Sequence, residues 1–131
     1  MDTLMTNSSI NNKLTPTLNA LTLLPEWAEQ EAVVIAWPHQ QSDWLPWIDA
    51  ARATYLALID ALNNAGATVI LLCSHAELGL VKSMVNGCAK VLIIPMDYND
   101  TWTRDYIFIT CESAEGNQPV EFLFNGWGQK F

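Results

Sequence analysis

Three short, unbroken apolar runs restrict the fold more than any other feature of the chain. They are Ala32-Val33-Val34-Ile35-Ala36-Trp37, Thr68-Val69-Ile70-Leu71-Leu72-Cys73 and Val91-Leu92-Ile93-Ile94-Pro95. Apolar and β-branched runs of this length, without alternation, read as strands buried on both faces, the pattern of a parallel sheet. Parallel neighbours need a crossover between them, and the intervening segments supply one each. Trp44, Trp47, Ile48, Ala51, Tyr55, Leu58, Ile59 and Leu62 recur at three- and four-residue spacing, which predicts an amphipathic helix beginning at Asp43. Ser42 or Asp43 is placed to cap it, Pro46 is tolerated only in or near its first turn, and Gly66 stands at its C-terminal end. A weaker helical stretch runs from about His75 to Asn86 and stops at Gly87.

Beyond the loop Met96 to Thr101 the texture changes. Tyr106 to Cys111 and Val120 to Phe124 flank a polar turn, Ser113 to Gln118, and predict an antiparallel hairpin. The fold class is α/β, with helices between extended segments and a hairpin added. Residues 1–22 are polar and aperiodic, so a flexible tail is expected there, followed by a domain over 23–131. The sequence ends at Asn125-Gly126-Trp127-Gly128-Gln129-Lys130-Phe131, around a turn signal, and the domain is expected to be incomplete at that end.

Charge narrows the partners. The 131 residues carry 6 Lys and Arg against 14 Asp and Glu, a formal charge of −8 that repels phosphate backbones and anionic headgroups. Neither nucleic acid nor a membrane is expected as partner, and a cationic ligand is favoured. No run of eighteen apolar residues is long enough to span a bilayer. Cys73, Cys88 and Cys111 show no metal-ligand spacing and cannot all pair, which fits a reducing, cytoplasmic compartment. No glycine-rich phosphate loop follows any of the strands.

The densest polar and aromatic cluster is Asp97-Tyr98-Asn99-Asp100-Thr101-Trp102-Thr103-Arg104-Asp105, just past the third apolar run. In open α/β sheets, ligands bind outside the carboxyl ends of the strands. Asp100 and Asp105 each offer two oxygens to a planar cation such as a guanidinium, and Trp102 offers a face for it. The alternative is structural: Arg104 pairs with a neighbouring carboxylate and Trp102 fills the core. His39 reads as a turn residue after the first strand and His75 as a surface residue beginning a helix. Cys73 and Cys111 read as small buried hydrophobes, and none of the three thiols has a nearby base that marks a nucleophile. The six tryptophans either build the core or line a site.

Four separated segments resemble the start of agmatine deiminases, which belong with the Porphyromonas-type peptidylarginine deiminases of the guanidine-modifying superfamily. They are Leu24-Pro25-Glu26-Trp27, Ala36-Trp37-Pro38-His39, Asn99 to Asp105, and Phe124-Asn125-Gly126-Trp127-Gly128-Gln129-Lys130. The resemblance covers residue 24 onward and only the first third or so of a family member. It implies part of a five-bladed α/β propeller (a pentein) built from ββαβ modules. It also implies hydrolysis of agmatine to N-carbamoylputrescine and ammonia by a cysteine thiolate and a general acid/base histidine, without metal or organic cofactor.

Carried over by motif, Asp105 resembles the carboxylate that grips the guanidinium and Trp102 the wall beside it. Asp100 is a further candidate, and Trp127 a channel-lining one. The family's Gly-Pro after this motif is replaced by Ile107-Phe108, and no region matches its nucleophilic Cys or catalytic His. The polypeptide alone is therefore expected to be inactive, with no catalytic residue of its own. A propeller fragment is also expected to expose an apolar face and self-associate through it. The competing readings are a peptidylarginine deiminase fragment and a non-catalytic binding or interaction remnant.

Overall fold

The computed structural model describes residues 21–129. The tail expected over 1–22 falls, up to residue 20, outside the described residues, and the first strand, β1 (Thr22–Leu23), begins within its last position. The centre of the fold is a parallel sheet of β2 (Ala32–Ala36), β3 (Thr68–Cys73) and β4 (Val91–Pro95), in that spatial order. Val33 lies beside Val69 and Val69 beside Val91, and the register continues through Ile35, Leu71 and Ile93. The crossovers are α1 (Ile48–Asn64) and α2 (Leu78–Met84). Two successive right-handed crossovers that step the same way along a sheet lay both helices on one face. Trp37, Ile59, Val69, Leu71, Cys73, Val81 and Val85 form the core there.

That arrangement corrects the expectation of strands buried on both faces. β4 is an edge strand, and its second face, with Leu92 and Ile94, is exposed. Over β2 that face meets a helical turn, α3 (Thr103–Tyr106), whose Thr103 hydroxyl donates to the Val34 carbonyl at 3.4 Å. A cavity of about 450 Å³ separates Val34 and Ile70 from Phe108 and Ile109.

The helix start also differs from expectation. Neither Ser42 nor Asp43 caps α1, which is entered through a 3-10 turn, Leu45–Trp47, containing Pro46. The Ser42 hydroxyl instead donates to the His39 carbonyl at 2.6 Å. Trp44 and Trp47 therefore precede the α-helix and are exposed. At the other end, Gly66 has φ +93°, with Gly66 N–H on Asn63 O and Ala67 N–H on Leu62 O, the paired bonds of a Schellman stop.

The hairpin is displaced from its expected position. β5 (Ile109–Ser113) pairs with β6 (Gly116–Val120), and β1 joins the other side of β5. Tyr106 belongs to α3, and Phe122 to Phe124 follow β6 outside any strand. The tight turn decides the register. Ser113 Oγ accepts from the Glu115 N–H and donates to Gly116 O, and Gly116 has φ +107°. A short helical turn, α4 (Gly126–Gln129), follows.

Candidate functional site

The loops at the carboxyl ends of the parallel strands are tied together by buried polar contacts. After β2, His39 is buried, its Nε2 lying 3.2 Å from the Tyr98 carbonyl and its Nδ1 accepting from the Gln41 N–H. That bonding selects the neutral tautomer with the proton on Nε2. His39 is thus a turn residue, locked between two loops. The Tyr98 hydroxyl donates to the Trp37 carbonyl at 2.6 Å. Burial, then nearby acidic groups, pushes its ionisation well above the ordinary tyrosine range.

A buried ion pair reinforces the same region. Arg52 of α1 reaches Glu77 at 2.8 Å, with the two side chains only 8% and 13% exposed. Glu77 also accepts from the Gln40 N–H, and Arg52 Nε lies 3.4 Å from the Pro38 carbonyl. Neither residue was legible as a pair. The available signal was a cation inside the apolar stripe Ile48, Tyr55, Ile59, where it demands a buried anion.

Held by this frame, the segments 42–47 and 100–102 meet across a cavity of about 230 Å³ lined by Ser42, Asp43, Trp44, Trp47, Asp100, Thr101 and Trp102. The Trp44 indole N–H donates to Thr101 Oγ1 at 3.0 Å and fastens one wall to the other. Asp100 Oδ1 accepts the Trp102 backbone N–H at 2.8 Å, and the Asp100 carbonyl accepts the Tyr106 hydroxyl at 2.9 Å. The Tyr106 hydroxyl is pushed up to about 12, first by burial and then by Asp100 and Tyr55. Two carboxylates, three indoles and no cationic side chain line this space. Such a lining suits an organic cation.

Of the residues singled out from sequence, Asp100 and Trp102 are brought together here, Trp102 being 66% exposed rather than packed in the core. Asp105 lies on the adjoining turn α3, its N–H on the Trp102 carbonyl and its carboxylate exposed, outside the cavity lining. Trp127 sits in α4, and its side chain lies outside the described residues. Asp43, Trp44 and Trp47 were missed as site residues because their spacing read as the start of a helix face. Arg104 forms an exposed ion pair at 2.6 Å with Glu26, 78 positions away, rather than with a carboxylate of its own cluster.

Two of the three thiols, Cys73 and Cys88, have their ionisation raised, which works against a nucleophilic role. Burial and then Glu77 raise Cys73, with Lys82 opposing, while burial and then Asp60 raise Cys88. Cys111 is half-buried in β5, opposite Gln118. His75 lies on the surface, 3.4 Å from Asp97. Among the described residues no cluster of three or more His, Cys, Asp or Glu could hold a metal, and no helix is long and apolar enough to cross a membrane.

The sequence profile described as Porphyromonas-type peptidyl-arginine deiminase matches residues 22–131. The chain belongs to this family. It is 32% identical over 133 residues to a protein from Shewanella baltica (strain OS185) with the assigned name agmatine deiminase, covering 95% of this chain and 34% of the relative. The chain thus spans about a third of the length of the curated relatives it matches. A crystal structure named for a peptidyl-arginine deiminase superimposes with a TM-score of 0.79 at 31% identity, over 87% of this chain and 34% of that one. A Cys-to-Ser variant of the C. jejuni agmatine deiminase, with substrate bound, gives 0.75 at 28% identity, over 85% and 32%. The mixed α/β architecture accordingly matches part of the solved agmatine deiminase structures.

Proposed function

We propose that this chain is the N-terminal portion of a guanidine deiminase that hydrolyses agmatine to N-carbamoylputrescine and ammonia, and that it carries part of the substrate pocket. In this reading the parallel unit and the antiparallel sheet are parts of successive modules of a five-bladed propeller. The observation that carries the proposal is the turn α3 with its supports: Trp102 and Asp105 follow one another on a backbone fixed by Asp100 and Tyr106, beside a cavity lined with indoles and carboxylates.

Each residue has a distinct task. The Asp105 carboxylate accepts two guanidinium N–H groups, which fixes the plane of the substrate. Trp102 packs on that plane and excludes water from one side of the reacting carbon. Asp100 acts mainly as a positioning residue, since one of its oxygens and its carbonyl are engaged in holding the turn. The attacking thiolate and the general acid/base belong to the part of the enzyme represented by the remaining two-thirds of its relatives. Cys73 and Cys88, with raised ionisation, are unsuited to that task. The family's description favours peptidyl-arginine as a second substrate reading.

Titration of the purified chain with agmatine, followed by tryptophan fluorescence and calorimetry, tests the proposal. Binding without release of ammonia is expected, with binding abolished by Asp105→Ala. Turnover by the chain alone, or binding indifferent to Asp105→Ala, would overturn it.

A further inference from the structure

We propose that Asp43 is a specificity-determining residue of this pocket: it takes the ammonium at the far end of an aminoalkyl guanidine and turns away substrates that carry a carboxylate there. This assignment rests on the guanidine site proposed above and adds a residue that the family motif around Trp102 does not contain.

Asp43 enters the site only through folding. It lies 57 positions before Asp100 in the chain, yet both line one cavity with Trp44, Trp47 and Trp102. Asp100 has one oxygen occupied by the Trp102 N–H, whereas the Asp43 carboxylate has no hydrogen-bond or ion-pair partner among the described residues. Asp43 is therefore the acceptor with its full capacity available to a ligand. The indoles suit an alkylammonium, whose charge is attracted to their faces and whose methylene groups cover apolar surface. Trp102 lines this cavity and its carbonyl accepts the Asp105 N–H, so the assignment gives the guanidinium end of the substrate to Asp105 and the amine end to Asp43.

A carboxylate in the same place meets opposite conditions. Two negative charges face it, and no Lys or Arg lines the space. The Ser42 hydroxyl and the Trp44 indole N–H are committed to His39 and Thr101, so the donors left to it, the Thr101 hydroxyl and the Trp47 and Trp102 indole N–H groups, are all uncharged. An α-carboxylate entering here would lose its water and gain little in exchange.

The test uses the purified chain and three probes: agmatine, n-butylguanidine, which lacks the amine, and L-arginine, which adds a carboxylate beside it. Agmatine is expected to bind about tenfold more tightly than n-butylguanidine, the range of one charge-assisted hydrogen bond, and L-arginine more weakly than either. Asp43→Asn, isosteric and exposed, should bring agmatine to the level of n-butylguanidine while leaving n-butylguanidine unchanged. Equal binding of agmatine and n-butylguanidine to the wild-type chain refutes the assignment, as does an equal loss of both in the variant. Failure of all three probes to bind, or n-butylguanidine binding that survives Asp105→Ala, instead removes the guanidine site itself, and the assignment with it.

Discussion

Replacing Arg52 by Met tests whether the frame behind the site depends on the buried ion pair. Methionine keeps most of the apolar stem and deletes the guanidinium, so Glu77 is left 13% exposed with only the Gln40 N–H for company. Removing one partner of a fully buried pair costs about 3–5 kcal/mol. Here the remaining water access and the Gln40 bond discount that, and a loss of about 2–3 kcal/mol is expected. For about a hundred ordered residues this lowers Tm by roughly 10 °C or more. Urea unfolding of wild type, Arg52→Met, Glu77→Met and the double variant gives the measurement. The double variant should lose much less than the sum of the single losses, because each single change strands a charge that the double change removes. Additive losses, or a loss below about 0.5 kcal/mol for Arg52→Met, a size typical of surface substitutions, would refute the view that this pair anchors the Pro38–Gln40 loop.

Two further outcomes follow from named contacts. The Tyr106 hydroxyl has a folded-state ionisation near 12 against an ordinary value of 10.0, so its contribution to stability is complete below pH 10 and is lost as pH rises toward 12. Urea midpoints measured from pH 8 to pH 12 should fall over that window, and Tyr106→Phe should lessen the fall while costing about 0.5–1.5 kcal/mol at pH 8. Leu92 on β4 and Leu123, which is 97% exposed, leave apolar surface in contact with water. Sedimentation velocity should show concentration-dependent self-association that Leu92→Glu with Leu123→Glu abolishes; a monomer at every concentration would contradict it.

The parallel core was legible because three apolar runs and one long helical stripe each follow a single period. The hairpin was not. Val120, Phe122 and Phe124 alternate like a strand, but the register was chosen by Ser113 and Gly116 in a two-residue turn, and that turn makes the polar Gly116–Val120 the pairing partner. Asp100, Trp102 and Asp105 were legible as a cluster because they are close in sequence. Asp43 was not, since only the packing of the 42–47 segment against Thr101 brings it to them.

The tryptophans show where composition stops informing and geometry starts. Trp37 is fully buried, edge-on to Tyr55 at 6.1 Å, and its indole N–H has no partner among the described residues. It fills the core at the cost of an unsatisfied donor. Trp44, Trp47 and Trp102 behave oppositely, keeping large apolar rings in solvent around a cavity that also holds Asp43 and Asp100. A ring of that size left fully in water forgoes about 1.5–3 kcal/mol of burial, and Trp47 and Trp102, about two-thirds exposed, forgo much of it beside two carboxylates. That is a poor arrangement for a core and a suitable one for an organic cation, whose arrival covers the rings and neutralises the carboxylates in one step.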